Sequence, residues 1–250
     1  MARNIKLTME YLGTNYYGFQ KQPNDLTVQG ELEKALKILL KDDVKTTGAS
    51  RTDAGVHALF QVVNFMTASL IPLSKLKRSL NGLLPRDIAI SKAEDASPDF
   101  HARRSATSKE YKYYILNRPF PSPFFSNFSY WFPPQLKIKL MQEAAQFFKG
   151  THDFSAFCIH SPDKKSYVRT ILSIRVEKTN VPVKGLILVK ITADSFLHRM
   201  VRMIVGALIE VGSNKISAEE VRKILFEKDK EKAGVAVPPQ GLFLTKITYH

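Results

Sequence analysis

The 250-residue chain contains a single cysteine, Cys158. An internal disulfide is therefore excluded, and no second cysteine is present to build a Cys-based zinc set. A reducing cytoplasm suits such a chain. Long apolar runs are also missing. The most apolar helix-like stretch, about 196–211, is broken by His198, Arg199, Arg202 and Glu210, so no membrane span is expected. Met1-Ala2-Arg3-Asn4 is not followed by the apolar segment of a signal peptide. There is no Rossmann or P-loop glycine pattern and no strict internal repeat. Acids are scarce beside bases, 23 against 37, which gives a formal net charge of +14. That excess favours a polyanionic partner, most often nucleic acid. Charge alone does not separate RNA from DNA or from an anionic membrane.

What is present suffices for a core. At 44% hydrophobic, a chain of this length fills one large domain or two small ones. Ile5, Leu7, Met9 and Tyr11 alternate with polar residues and predict a strand over 5–11. A glycine-punctuated aromatic loop follows, Gly13 to Phe19, whose rings read mainly as core. Thr27 can cap a helix with Val28, Leu32, Leu36 and Leu39 along one face. A strand is expected at 59–66, with Leu59, Gln61, Val63 and Phe65 sharing a face. Pro72 suits the first turn of a second helix with Leu73, Leu76, Leu80 and Leu83 inward, and Ile88-Ala89-Ile90 reads as a short strand.

Residues 93–110 read as a junction, which puts a boundary near residue 104 and two halves at 1–104 and 105–250. A strand carries Tyr111, Tyr113 and Ile115, and a Pro- and aromatic-rich loop covers 117–134. Leu140, Ala144, Phe147 and Phe148 form a helix stripe stopped by Gly150. An exposed loop is expected at 160–167, with Asp163, Lys164 and Lys165. Strands at 168–177 and 186–192 precede the apolar helix of 196–211. Ser217-Ala218-Glu219-Glu220 is a capping box, and a strand at 242–249 closes the chain. The pattern is α+β, mainly antiparallel, with helices laid on one face of a sheet in each of two similar halves.

The stretch Gly48-Ala49-Ser50-Arg51-Thr52-Asp53-Ala54-Gly55-Val56-His57-Ala58 stands apart. Its glycines permit a sharp turn or a close approach, and its one carboxylate, Asp53, follows Arg51 by two positions. A neighbouring cation keeps a carboxylate ionised and in place. An isolated Arg-x-Asp is more often a surface ion pair; the glycine frame and the later basic and aromatic segments argue for a site. On a helix over 196–211, His198 and Arg202 share a face. An arginine in so apolar a helix either pairs with a carboxylate, for which Asp53 is the candidate, or snorkels to solvent. Residues 101–118 hold five Lys/Arg (103, 104, 109, 112, 118) against one acid, Glu110, and are interleaved with tyrosines. Cations with ring faces suit RNA; a strand with core tyrosines and a solvated lysine face is the plainer alternative. Arg103, Arg104, Lys109, Lys112 and His57 are the candidate RNA contacts.

The 48–58 stretch resembles the catalytic motif of the tRNA pseudouridine synthase A family. Phe100-His101-Ala102-Arg103, Lys109-Glu110-Tyr111, the run from Phe196 to Arg202, and Ala233-Gly234 with Gly241-Leu242 resemble its later motifs, in order. Val235 and Val237 depart from it, standing where the family pattern has Pro and Ala. The resemblance implies isomerisation of uridine to pseudouridine at positions 38–40 of tRNA by a homodimer; that chemistry needs no cofactor, and no metal-ligand spacing stands in the sequence. It implies two ferredoxin-like halves sharing an extended, mainly antiparallel sheet, with a cleft between them. It gives Asp53 the nucleophile role, Tyr111 the place beside the target base, Arg202 a salt bridge to Asp53, and Arg51 a hold on the target nucleotide. A glycoside hydrolase normally sets two carboxylates around the scissile bond; the motif supplies one, which suits an isomerase better. The rival readings are a non-catalytic RNA-binding protein, a base-removing glycosidase, and a pseudouridine synthase with another substrate.

Overall fold

The computed structural model describes residues 2–161 and 166–250. The loop expected around Asp163, Lys164 and Lys165 therefore lies in part outside the described residues. The chain divides into two compact units, Met1–Thr107 with Phe243–His250, and Ser108–Leu242. The closing strand does not stay with the second half: it returns to the first, because its backbone pairs there.

In the first unit, β1 (Arg3–Tyr11), α1 (Val28–Leu40), β2 (Thr47–Gly48), β3 (His57–Thr67), α2 (Leu73–Leu83) and β4 (Ile88–Ala96) follow in order. β1 is antiparallel to both β3 and β4, and β2 is antiparallel to β3. The last strand of the chain, β10 (Leu242–Tyr249), lies parallel to β3, with Phe243 opposite His57. Gln61 to Phe65 of β3 are all buried, as expected for a strand covered on both faces.

Between Met9↔Gln61 and Tyr11↔Ala58 the β1–β3 register slips, so Leu59 and Phe60 together oppose Glu10. That extra residue is a β-bulge, and it re-aims the side chains on either side of it. It corrects the expected face of β3: Leu59 is 55% exposed while Gln61, Val63 and Phe65 are buried. α1 starts where expected, with Thr27 Oγ1 accepting the Gly30 N–H at 3.2 Å. α2 starts after Pro72 and buries Leu76 and Leu80, but Leu83, in its last turn, is exposed.

The second unit carries β5 (Ala106–Leu116, from Ser108 onward), β6 (Tyr130–Trp131), α3 (Ile138–Phe147), β7 (Gly150–Asp153), β8 (Val168–Thr179), β9 (Leu186–Ala193), α4 (Met200–Gly212) and α5 (Ala218–Glu227). Its strand order is β5-β9-β8-β7, antiparallel throughout, with β6 parallel to β5. α3 buries Met141, Ala144 and Ala145; of the expected stripe Ala144 and Phe148 are buried, while Leu140 and Phe147 are half-buried. α5 carries the full capping box: Ser217 Oγ accepts the Glu220 N–H at 3.1 Å and Glu220 Oε2 accepts the Ser217 N–H at 2.7 Å.

α4 begins at Met200 rather than near 196, because Arg199 has a left-handed backbone (φ +60) that no α-helix continues through. His198 thus precedes the helix and shares no helical face with Arg202. From Met200 the helix is buried nearly all round, the pattern of a central core helix. The α+β, mainly antiparallel expectation holds, with ten strands and five α-helices among the described residues.

Candidate active site

The Asp53 loop joins β2 to β3 and is fixed almost residue by residue. At its start, a Cβ on Gly48 would come 2.2 Å from a ring carbon of Phe19. The aromatic ring therefore lies directly on bare backbone. The Ala49 N–H donates to the Val62 carbonyl at 2.8 Å, extending the pairing of β2 with β3. Thr52 is turned inward. Its hydroxyl lies 2.7 Å from the Tyr11 hydroxyl and its carbonyl accepts the Phe19 N–H at 3.0 Å.

Asp53 opens a tight turn: its carbonyl accepts the Val56 N–H at 3.1 Å, with Gly55 at φ +77. The Gly55 N–H reaches the Tyr16 carbonyl at 3.3 Å. The loop from Gly13 to Phe19 is thus the other half of this frame. Tyr16 and Phe19 are core, as expected, and Tyr17 is exposed. Tyr16 donates its hydroxyl to Asp87 at 2.5 Å.

Within this frame Arg51 is exposed, Thr52 buried and Asp53 half-buried. Partial burial, and after it the charge of Arg103, lowers the pKa of Arg51. Arg51 and Arg103 thus stand within electrostatic reach of each other, a repulsion that a phosphate between them would relieve.

Arg103 and Arg104 sit on a turn built for them. His101 Nδ1 accepts both of their N–H groups, at 3.2 and 3.3 Å. The turn is tied down at Ala102, whose N–H donates to Asn64 Oδ1 at 2.8 Å and whose carbonyl accepts the Tyr249 hydroxyl at 2.8 Å. Asn4, beneath it, donates to the Ser97 and Phe100 carbonyls, both at 2.9 Å. Both arginine side chains are exposed.

His57 belongs elsewhere than expected. It is 1% exposed. Its Nδ1 accepts the Gly13 N–H at 3.1 Å and its ring stacks on Phe243 at 4.7 Å. A ring so enclosed holds the frame together and offers nothing to RNA at the surface.

In the second unit, Tyr111 is 6% exposed and meets Phe196 edge-on at 5.1 Å. Lys109 shares its face of β5 and is buried too, while Lys112 on the other face is half-buried. The solvated lysine face expected for this strand is therefore only half right, because strand alternation sends Lys109 inward with Tyr111. Arg202, in the first turn of α4, is half-buried. Its Nε donates to the Val237 carbonyl at 2.7 Å, and the Val237 N–H returns to the Arg202 carbonyl at 3.2 Å. A Cβ on Gly206 would come 2.3 Å from the Val235 carbonyl, so the 235–237 backbone rides directly on α4. Tyr113 donates to the Pro238 carbonyl at 2.7 Å. Burial pushes its hydroxyl pKa up, with the Arg202 charge acting the other way.

The first unit therefore gathers Asp53, Arg51 and Arg103; Tyr111, Lys109 and Arg202 belong to the second. Among the described residues no group of three or more His, Cys, Asp and Glu could hold a metal ion, and no helix is long and apolar enough to cross a membrane.

The sequence model of the tRNA pseudouridine synthase family matches residues 7–103 and 144–250. The chain belongs to this family. It is accordingly an enzyme, an isomerase of the pseudouridine synthase class. A protein named tRNA pseudouridine synthase A from Thermoanaerobacter sp. (strain X514) is 48% identical over 247 residues, spanning 99% of this chain and all of the relative. Relatives from Clostridium perfringens (tRNA pseudouridine synthase A 2) and Acetivibrio thermocellus (tRNA pseudouridine synthase A) are each 45% identical over 99% of this chain and all of their own length. Arg51, Asp53, Arg103 and Arg202 fall inside the segments matched by the family model; Tyr111 falls between them.

Sequence reasoning overlooked Tyr11, Thr52 and Gln61, which hold the loop from below. The signal was there: a glutamine and a tyrosine on otherwise apolar strand faces, where a buried polar group must find a partner.

Proposed function

We propose that this enzyme converts uridine to pseudouridine at positions 38–40 in the anticodon stem-loop of tRNA, with Asp53 as the nucleophile and no cofactor. The observation that carries the reading is the setting of Asp53. It is the one acid in a loop locked by backbone hydrogen bonds, with Arg51 two positions before it and Arg103 within electrostatic reach of Arg51.

The reaction breaks the bond from uracil N1 to ribose C1′, turns the base, and forms a bond from C5 to C1′. The C5 proton is lost and N1 gains one, so the product is an isomer and no co-reactant is consumed. A held carboxylate can attack either the ribose C1′ or the base, making a covalent intermediate that frees the base to turn. A second carboxylate to activate water, as in many glycosidases, has no part in this scheme.

The target base must first leave the stack. In this reading Arg51 holds the displaced nucleotide, Tyr111 supports the base, and the Arg202 cation steadies Asp53. Arg103, Arg104 and Lys112 meet phosphates, in keeping with the net charge of +14. The names of the relatives support the tRNA substrate. We place the enzyme in the cytoplasm, working as a homodimer.

The test is incubation of purified enzyme with an unmodified tRNA transcript in the presence of a chelator. The reading expects pseudouridine confined to positions 38–40. Free uracil, an unchanged transcript, or pseudouridine elsewhere would contradict it. Sedimentation of the same preparation tests the dimer.

A further inference from the structure

The pairing of β2 with β3 stops at Ala49, and the Ser50 peptide leaves the sheet. A side chain takes over where the backbone ladder ends. Gln61 Oε1 accepts the Ser50 N–H at 3.2 Å, and Gln61 Nε2 donates to the Ser50 carbonyl at 2.7 Å. Only one orientation of the amide serves both, with oxygen toward the N–H and nitrogen toward the carbonyl. Oε1 also accepts the Val62 N–H at 3.2 Å, and the second Nε2 hydrogen points to the Tyr11 hydroxyl oxygen at 3.4 Å. The Tyr11 hydroxyl in turn shares a hydrogen bond with Thr52 Oγ1, 2.7 Å away.

Gln61, Tyr11 and Thr52 are 0%, 4% and 6% exposed. Burial pushes the Tyr11 pKa up, with the bonds to Thr52 and Gln61 acting the other way, so the hydroxyl stays neutral. The grip falls on residues 50 and 52. Arg51 and Asp53 alternate with them along the loop. The bulge at Leu59 and Phe60 separates Gln61 from the end of β3 that carries His57, so the loop is held from two different stretches of one strand.

We propose that Gln61, acting with Tyr11, is a positioning residue for the isomerisation. It sets the Asp53 carboxylate by holding the backbone at Ser50 and, through Tyr11, the side chain at Thr52. The proposal rests on Asp53 being the nucleophile. A buried polar network that serves stability alone would lower the melting temperature of its variants and leave kcat per folded enzyme unchanged. A positioning network changes kcat, because small misplacements of a reacting group are costly.

The experiment compares wild type with Tyr11→Phe, Gln61→Met, Gln61→Glu and Asp53→Asn, measuring kcat, KM for tRNA and melting temperature across a pH series. Tyr11→Phe and Gln61→Met are expected to lower kcat by roughly ten- to a hundredfold. KM should stay within about twofold of wild type, because uniform binding is not what they remove. Gln61→Glu gives the distinctive signature. Its ionised form still accepts from Ser50 and Val62 but presents a carboxylate to the Ser50 carbonyl. Its protonated form, favoured by burial, regains one donor. Its kcat relative to wild type should therefore recover as the pH falls.

If Gln61→Met does not fold, Tyr11→Phe, which removes one oxygen, and Gln61→Glu decide. Wild-type kcat in folded Tyr11→Phe and Gln61→Glu at every pH, or losses confined to KM, overturns the proposal. Asp53→Asn separates the two ideas. If it is inactive while the other variants are fully active, only the positioning role fails; if it is active, the nucleophile assignment fails as well.

Discussion

The Gly13 N–H donates to His57 Nδ1 at 3.1 Å, and that one bond ties the loop after β1 to the first residue of β3. A Cβ at Gly13 would come 2.0 Å from the Val56 carbonyl, so the two backbones touch. His57→Ala leaves the Gly13 N–H buried and unpaired and removes the stack on Phe243. It is expected to cost about 1–3 kcal/mol of stability. Denaturant unfolding checks the loss. The salt dependence of tRNA binding should be unchanged in the folded variant, because the ring does not reach the surface.

Gly18 has φ +97, and a Cβ there would come 2.8 Å from the Thr52 carbonyl, one residue before Asp53. Gly18→Ala is expected to lower both stability and kcat, with a backbone cost of order 1–3 kcal/mol. Gly82, in α2, is the control: a Cβ there meets nothing within 4 Å. Gly82→Ala should raise stability by roughly 0.5–1 kcal/mol and leave turnover as it is. Thermal melts with single-turnover assays distinguish the pair.

Arg103 lowers the pKa of Arg51 through its charge, second to burial. Two guanidiniums held near each other are best served by a phosphate. Arg103→Gln should weaken tRNA binding and reduce the slope of log affinity against log salt by about 1. The Arg51→Gln and Arg103→Gln changes should be non-additive, since each relieves the other's repulsion. Binding titrations across a salt series measure both.

Arg202 is tied into its own unit, and the proposed function gives it a second role at Asp53. Its Nε bond to the Val237 carbonyl means that Arg202→Met removes a tether as well as a charge. Stability is expected to fall by about 1 kcal/mol, and turnover to fall far more if the cation steadies Asp53. Arg202→Lys keeps the charge without the fork and should recover only part of the activity. Comparing kcat and unfolding free energy for the two variants separates tether from charge.

Much of this was legible in the sequence because it is local. Thr27 and the Ser217–Glu220 box announced their helices, since caps act within one turn. Alternation announced most strands, and the glycine-framed acid announced the loop. What was hidden depends on partners distant in the chain. The return of Phe243 to lie beside His57 is a parallel pairing that leaves no local mark. The bulge that turns Leu59 outward is set by the opposing strand. The start of α4 depends on the left-handed backbone of Arg199, a residue type that rarely signals it. Gln61 reads as one polar residue in an apolar strand until Ser50 is seen beside it.

The most direct test of the central claim is pseudouridine formation by Asp53→Asn on unmodified tRNA, with tRNA affinity measured in the same preparation. The amide keeps the shape of the side chain and loses its charge and nucleophilicity. The account predicts isomerisation at background level with tRNA binding largely retained. Substantial turnover by a verified, uncontaminated Asp53→Asn enzyme would contradict it.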